Sequence, residues 1–414
     1  MQAFEKGEVW PRSGWTERPT LEAQINFIRG GIILAVRAAH SVADGHGLLI
    51  ITNVWAAYCR GEDGSILLGS DSLDRGRLMS GAPANLREFD TYEYNELPPS
   101  RKQASEHGWA HAFVKSGEWV STRMRTTLVT ALRMFSDLVT YRSMRIAPRF
   151  RRPIDEGTRQ TAIFFFSAAR LRELKDAVTA CGDPEGQAMK MGWPSTHDAV
   201  VSLLWGCITR IWKDARYFDR DSNPSPLRRL RWQMAQRNTQ PISVLVFWLN
   251  GRRLIQDPPL KSYIGNVILL NFLGGPFDDV RPTMEAWLGT LHEYDETYLM
   301  RLVGALGTVP DITRTRLSAG HGTFPESAMC INSWAAMDYY GTDWGDEVGG
   351  RPQRIRLPRV RVDPFCLVLP RLDAKNGWGE DDCGLEVVVN LKSTYMQRLT
   401  RDEFFNDWAE WRCS

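Results

Sequence analysis

Residues 30–45 read GGIILAVRAAHSVADG, and the interpretation of the whole chain starts from them. The apolar run at 32–36 predicts a buried strand that ends near His40. Asp44 is a good N-cap residue, because its carboxylate accepts hydrogen bonds from the first backbone N–H groups of a helix. We therefore predict a strand, a tight loop that carries His40, and a helix that begins near Asp44 and continues through residues 48–58.

A histidine at the end of a strand is suited to general-base chemistry. Its imidazole titrates near neutral pH, so His40 can take up a proton without being charged at rest. The neighbouring glycines let the chain turn and let a substrate approach closely. A histidine followed four residues later by an aspartate is also common by chance. The spacing alone therefore leaves a purely structural role for His40 open.

The composition is that of a globular protein. The 414 residues are enough for two domains or one large one, with 43% hydrophobic and 24% charged residues. Lys and Arg total 51 against 49 for Asp and Glu, which argues against a nucleic-acid-coating surface. The seven cysteines are scattered and form no CxxC pair. We expect reduced, buried thiols, with no disulfide framework and no metal site.

The sequence also predicts a soluble, cytoplasmic protein. Residues 1–10 lack a basic segment followed by an apolar core, so we expect no signal peptide. No apolar run is long enough to span a bilayer, so we expect no contact with a membrane.

Periodicity predicts most of the remaining elements. Residues 23–28 alternate apolar and polar, which predicts a half-buried strand that forms a hairpin with 32–36 across residues 29–31. A compact strand at 161–166 is followed by a helix at 167–178. The further predictions are strands at 242–249, 267–273 and 386–391, and helices at 123–145, 284–301 and 396–411.

Ser195-Thr196-His197-Asp198 has the pattern of a capping box, which opens a helix with an apolar, core-facing stripe. His197 is expected on the solvent side of the first turn. The N-terminus of this helix is alternatively open to a ligand phosphate. The stripe consists of Val200, Val201, Leu204, Ile208, Ile211 and Trp212.

Five short sequence motifs, the anchors, match those of one family and occur in the same order along the chain. His40-Ser41-Val42-Ala43-Asp44-Gly45 resembles the HxxxDG motif of the BAHD-type acyl-CoA-dependent acyltransferases. The set of motifs is most similar to that of their fungal branch. The other anchors are Ser195-Thr196-His197-Asp198-Ala199, Asn250-Gly251-Arg252, Tyr263-Ile264-Gly265-Asn266 and Asp343-Trp344-Gly345, the last resembling a variant of DFGWG.

The resemblance implies an α/β fold of two chloramphenicol-acetyltransferase-like layered domains with a channel between them. It implies a monomeric acyltransferase with no bound cofactor, which uses acyl-CoA as co-substrate and acylates a small-molecule alcohol or amine. His40 would deprotonate the acceptor, which then attacks the thioester carbonyl. No acyl-enzyme forms, so no nucleophilic Ser or Cys is required. An apolar secondary metabolite is the expected acceptor.

Residue roles are also implied by the resemblance. His40, Asp44 and Gly45 would form the catalytic motif, with the Asp44 carboxylate turned away and paired with an arginine. Asp343, Trp344, Gly345 and Arg252 would form a structural motif, in which Asp343 pairs with Arg252. Ser195, Thr196 and Asn266 would contact the CoA substrate.

Family members carry more chain before the motif histidine than the 39 residues present here. We therefore expect an incomplete first domain at 1–75, a crossover segment at 76–158 and a second domain at 159–414. A basic cluster at 142–152 is expected to be a solvated face, with an anion site as the alternative.

Two other functions remain open at this stage. A condensation-type domain shares the fold and the HxxxDG loop but takes its acyl group from a carrier protein. A non-catalytic remnant would keep the fold without turnover. The GxSxG, GxxxxGK[ST] and HExxH motifs are absent, so the sequence shows no sign of a hydrolase elbow, a P-loop or a zincin.

Overall fold

The structure is a computed structural model that describes most of the chain in segments. These are residues 19–70, 72–78, 81–89, 92–94, 159–180, 194–218, 243–255, 258–275, 280–291, 293–310, 315–317, 328–357 and 364–413. The helix predicted at 123–145 and the basic cluster at 142–152 lie outside the described residues.

The chain divides into two units. The first consists of Met1–Glu93, Thr158–Ile312 and Leu317–Ser414. The second consists of Tyr94–Gly157 and Thr313–Arg316. The large sheet and the site described below belong to the first unit. The boundaries predicted from sequence, 1–75, 76–158 and 159–414, remain a prediction.

Strands and helices are mixed along the chain. The strands are β1 (Leu21–Ile28), β2 (Gly31–Ala38), β3 (Tyr92–Tyr94), β4 (Arg159–Ser167), β5 (Ser243–Asn250), β6 (Ile268–Gly275), β7 (Thr315–Leu317), β8 (Ala328–Ser333), β9 (Phe365–Val368), β10 (Gly384–Lys392) and β11 (Glu410–Cys413). The helices are α1 (Gly45–Cys59), α2 (Ala168–Ala180), α3 (Thr196–Phe218), α4 (Val280–Leu291), α5 (Glu296–Gly307), α6 (Ser393–Leu399) and α7 (Glu403–Asn406).

A seven-stranded mixed sheet organises the fold, in the order β11-β4-β10-β9-β8-β5-β6. β8 runs parallel to β5 and to β9, and the other neighbours are antiparallel. Helices cover one face, where Trp205 and Phe405 are fully buried and Phe405 meets Phe164 edge to face at 5.1 Å. The predicted α/β class is confirmed, and so are the strands predicted at 161–166, 242–249, 267–273 and 386–391.

The predicted hairpin is also confirmed, with β1 antiparallel to β2 from Leu21↔Ala38 to Ile28↔Gly31. The predicted burial of residues 32–36 is wrong, because Ile33 is 43% exposed and no residue of β2 is buried. Pleating puts Ile33 on the face opposite its neighbours. Within the described residues this sheet has only two strands, and every residue of both strands is half-buried or exposed.

Two predicted helices are each broken into shorter elements. Residues 284–301 fall in α4 and α5, and Asp295 caps α5 by accepting from Tyr298 N at 2.7 Å. Residues 396–411 fall in α6, α7 and β11, and Asp402 caps α7. Each aspartate satisfies the free N–H groups of a new first turn, so it begins a second helix instead of continuing the first.

The capping box at the start of α3 is confirmed. Ser195 N donates to Asp198 Oδ2 at 2.8 Å, and Asp198 N donates to Ser195 Oγ at 3.2 Å. Asp198 also accepts from Trp287 Nε1 at 2.9 Å. His197 is half-buried and not on the solvent side as predicted. All six residues of the predicted stripe are buried.

Candidate active site

The loop between β2 and α1 presents His40 and holds Asp44. Ala39 N donates to Thr20 O, and Val42 N donates to Ala39 O, both at 2.8 Å, so the chain turns tightly after the strand. His40 is exposed and Asp44 is 1% exposed. The predicted order of strand, loop and Asp44-capped helix is confirmed.

The Asp44 carboxylate is fully engaged away from solvent. Oδ1 accepts from Gly47 N at 2.9 Å, which caps α1. Oδ2 accepts from Val267 N at 2.9 Å and from Arg252 Nη1 at 2.7 Å. The two charged side chains are 0% and 3% exposed. Asp44 therefore shapes the loop through a buried ion pair and is not itself available to take up a substrate proton.

Arg252 follows β5 in a 3-10 turn, Gly251–Arg253, which Asn250 caps. Its Nε donates to Tyr263 O at 3.1 Å, and its Nη2 donates to Gly265 O. One guanidinium thus joins the segment before β6 to the carboxylate of Asp44. These hydrogen bonds satisfy a buried charge that would otherwise be costly.

The predicted pair between Asp343 and Arg252 is wrong. Arg252 pairs with Asp44. Asp343 Oδ1 accepts from Gly345 N at 2.9 Å, and its backbone carbonyl accepts from Arg60 Nη1. The reason is spatial: the end of β5 faces the start of α1, whereas Asp343 lies at the other end of that helix.

Asp343-Trp344-Gly345 packs against the second half of α1. Trp344 meets Trp55 edge to face at 5.2 Å, and Thr342 Oγ1 donates to Asn53 Oδ1 at 2.6 Å. Gly345 has a φ of 81°, a left-handed conformation that favours glycine. This segment holds the helix that follows the His40 loop.

The side chain of Asn266 sits against His40. Its Nδ2 lies 2.9 Å from His40 O and 3.2 Å from His40 Nδ1. Because a carbonyl oxygen only accepts, the amide must turn its NH₂ group towards the histidine. An N–H that faces Nδ1 pairs with an unprotonated Nδ1, so this geometry corresponds to the tautomer with its proton on Nε2.

A cavity of about 150 Å³ opens beside His40. Its lining combines the motif loop with the ends of β5, β6 and β8. The lining residues are Ala38, His40, Ala43, Asp44, Gly45, His46, Leu48, Trp248, Asn250, Arg252, Ile268, Asn332, Ser333, Trp334 and Met337.

Gly45 is needed for close packing at this cavity. A Cβ on Gly45 would lie 3.2 Å from Trp334 Nε1 and 3.3 Å from Met337 Cε. Two residues on, a Cβ on Gly47 would lie 1.9 Å from Ile264 O. A side chain at Gly47 would collide with backbone and push the start of α1 away, whereas one at Gly45 would require the Trp334 and Met337 side chains to shift slightly.

The predicted CoA contacts lie in two places. Asn266 contacts His40 directly. None of the three residues, Asn266, Ser195 and Thr196, is part of the cavity lining. The Ser195 hydroxyl donates to Asp198 Oδ2 at 2.6 Å, and Thr196 Oγ1 accepts from Arg371 Nη2 at 2.9 Å. A role for all three in binding CoA remains a prediction.

Burial and hydrogen bonding shift the pKa of three other buried or half-buried groups. Burial by itself raises the pKa of Asp198, but the neighbouring His197 ring and the hydrogen bonds from Ser195 and Trp287 outweigh it and lower the pKa to about 2. Burial raises the pKa of Cys207 and of Cys330 to about 12, so these thiols stay protonated. Within the described segments no group of His, Cys, Asp and Glu has the arrangement of a metal site. In the same segments every helix is too short or too polar to cross a bilayer.

The sequence profile of the Transferase family matches residues 11–405. This match spans nearly the whole chain and includes every element of the site. The chain is a BAHD-type acyltransferase of this family.

This BAHD-type acyltransferase resembles several fungal enzymes. It is 26% identical to the O-acetyltransferase ptmV of Penicillium ochrochloron, over 95% of this chain and 72% of that protein. It is 24% identical to trichothecene 3-O-acetyltransferase TRI101 of Fusarium sporotrichioides, over 95% of this chain and 69% of that protein. The crystal structure of Fusarium graminearum TRI101 complexed with ethyl coenzyme A superposes with a TM-score of 0.62 at 16% identity. The superposition covers 95% of this chain and 70% of that one. The acyltransferase thus has the TRI101 fold.

Several cavity residues of the acyltransferase were not predicted from sequence. Asn332 and Ser333 end β8, Trp334 and Met337 follow it, and Trp248 lies on β5. Their signal was weak, because a polar pair and a tryptophan after a strand are common. Only the parallel pairing of β5 with β8 brings the ends of these strands together beside His40.

Proposed function

We propose that the protein transfers an acyl group, acetyl in the first instance, from CoA to a hydroxyl of a small secondary metabolite, with His40 as general base. The observation that supports this proposal is the different placement of the two motif side chains. His40 is exposed at a cavity, whereas Asp44 is turned away into a buried ion pair. An amine acceptor would use the same chemistry.

The reaction needs one proton acceptor and two aligned substrates. His40 accepts the proton of the acceptor hydroxyl, and the oxygen attacks the thioester carbonyl. The tetrahedral intermediate collapses, the C–S bond breaks, and CoA thiolate leaves with the proton that His40 returns. Holding both substrates in one cavity removes much of the entropic barrier.

The base function requires an adjustment at Asn266. His40 accepts at Nε2 only when the ring proton is on Nδ1. In the present geometry the Asn266 amide favours the opposite tautomer. Moving the Asn266 amide aside would let the ring proton shift to Nδ1 and free Nε2 for the substrate.

The substrate class rests on the relatives. They are named as fungal acyltransferases, among them the eremophilane O-acetyltransferase ORF8 of Penicillium roqueforti and trichothecene 3-O-acetyltransferase. A Fusarium graminearum TRI101 structure is described as complexed with coenzyme A and deoxynivalenol. Trp248, Ile268, Trp334 and Met337 line the cavity here, which suits an apolar acceptor with a hydroxyl.

The test is turnover of purified protein with acetyl-CoA and a panel of trichothecene and eremophilane alcohols. Turnover is measured through the release of the CoA thiol. We expect His40→Ala to lower kcat by about 10²–10⁴-fold, the usual contribution of a general base. Ser41→Ala is the control, since Ser41 is the exposed neighbour on the same loop and does not line the cavity. Equal rates for wild type and His40→Ala would exclude His40 as the base.

A further inference from the structure

Tyr339 makes a second connection to the motif loop, from a different segment than Arg252. Its hydroxyl donates to Gly45 O at 2.8 Å. Its ring lies tilted against Trp334, with 5.9 Å between centroids. Burial, and then the Asp44 carboxylate, raise the pKa of Tyr339, so the hydroxyl stays protonated and remains a donor.

The segment that carries Tyr339 is itself well supported. Trp334 N donates to Val368 O and Met337 N donates to Trp334 O, both at 2.8 Å. Asp338, the residue before Tyr339, accepts from Lys375 Nζ at 3.0 Å and from Asn376 Nδ2 at 2.9 Å. Tyr339 can therefore fix the position of Gly45 instead of following it.

We propose that Tyr339 is a positioning residue for acyl transfer, which sets the place of His40 by holding the Gly45 carbonyl. The proposal rests on the function of His40 proposed above. Arg252 holds the Asp44 side chain from β5, and Tyr339 holds the next peptide from the segment after β8. The loop is thus attached to two segments that are distant in sequence. Small displacements of a reacting group are costly in rate, so losing one attachment lowers kcat.

The chain offers a matched control in the next residue. Tyr340 is also buried, at 1% exposed, and its hydroxyl oxygen accepts from Ile355 N at 3.3 Å. Its ring packs with Phe165 and Trp378 and does not line the cavity. Tyr340→Phe therefore removes the same atom from the same segment without touching the motif loop.

The first measurement is steady-state kinetics with acetyl-CoA and the best acceptor of the panel. We expect Tyr339→Phe to lower kcat about fivefold, the effect of one lost hydrogen bond. KM for acetyl-CoA should stay within about twofold, because the change affects the reacting geometry and not uniform binding. Tyr340→Phe should keep the wild-type kcat. The same kcat in both variants, or a change in KM alone, would overturn the proposal.

The second measurement needs no turnover. In protein with ¹⁵N-labelled histidine, the His40 signals are identified by their loss in His40→Gln. We expect them to shift or broaden in Tyr339→Phe and to stay unchanged in Tyr340→Phe. If the His40 signals change in this way but the wild type shows no turnover, the positioning role is supported and the proposed function fails. Unchanged His40 signals in Tyr339→Phe would overturn the positioning role even if kcat falls.

Discussion

At the scale of single residues, the buried pair of Asp44 and Arg252 has the largest consequence for folding. Both side chains are almost completely removed from water, and each satisfies the other's charge. Truncating either one leaves an uncompensated buried charge, which is much more costly than losing an exposed ion pair. Arg252, the arginine of the family pattern, therefore stabilises the motif loop and does not pair with Asp343.

We expect Arg252→Met to lower the free energy of unfolding by about 3–5 kcal/mol, because the Asp44 carboxylate stays buried without its partner. Denaturant unfolding of the purified variants measures this. Arg253→Met is the control, since Arg253 is the exposed neighbour. Asp343→Ala should cost only about 1 kcal/mol, the value of the hydrogen bond from Gly345 N. A loss below about 1 kcal/mol in Arg252→Met would contradict the buried pair.

The tautomer of His40 is a second prediction at this scale. Because the Asn266 amide faces Nδ1, we expect ¹⁵N shifts of the free protein to show the proton of His40 on Nε2. Asn266→Asp places a carboxylate there, which accepts only, so the proton should move to Nδ1. Asn266→Leu serves as a variant without any polar partner. A wild-type protein with its proton already on Nδ1 would show that the Asn266 N–H does not pair with that nitrogen.

At the scale of elements, the first turn of α3 links stability to pH. The Asp198 carboxylate caps Ser195 and accepts from Trp287 of α4, which joins two helices on the covered face of the sheet. Its pKa is lowered to about 2 in the folded state. A lowered folded-state pKa stabilises the protein above the unfolded value near 3.9, and this stability is lost as the pH falls through the folded value.

We expect wild type to be more stable than Asp198→Asn at pH 7 and to lose about 2 kcal/mol of that advantage on acidification from about pH 5 to pH 2. Thermal or denaturant unfolding at several pH values measures the difference. Asp176→Asn, at an exposed position of α2, should show no such trend relative to wild type. A constant difference between wild type and Asp198→Asn across this range would refute the linkage.

The element scale also shows where pattern reading fails. The break between α4 and α5 and the change from α7 to β11 were both predicted as continuous helices. Apolar residues recur at helical spacing across each break, so periodicity does not detect it. Asp295 and Asp402 are the local signals, but an aspartate inside a periodic stretch is equally compatible with a solvent-facing position.

At the scale of the whole molecule, the proposed function requires an acyl-CoA donor that binds the folded chain and not the unfolded one. We expect saturating acetyl-CoA to raise the melting temperature, since a ligand at a hundred times its Kd adds about 2.7 kcal/mol of stability. Acetate at the same concentration is the control. A cooperative melt without a shift would contradict acyl-CoA as the donor and would favour a carrier-bound acyl group.

The sequence by itself determined the α/β class, the hairpin, the Asp44-capped helix, the capping box at Ser195 and the family. The elements depend on contacts between near neighbours along the chain, which periodicity and capping chemistry report directly, whereas the family follows from five motifs in a fixed order. Only the tertiary structure decided that Arg252 pairs with Asp44, that Asn266 and Tyr339 contact the motif loop, and which residues line the cavity. Those contacts join positions more than two hundred residues apart, and they depend on how β5, β6 and β8 are aligned. A pattern that repeats every two or four residues carries no information about that alignment.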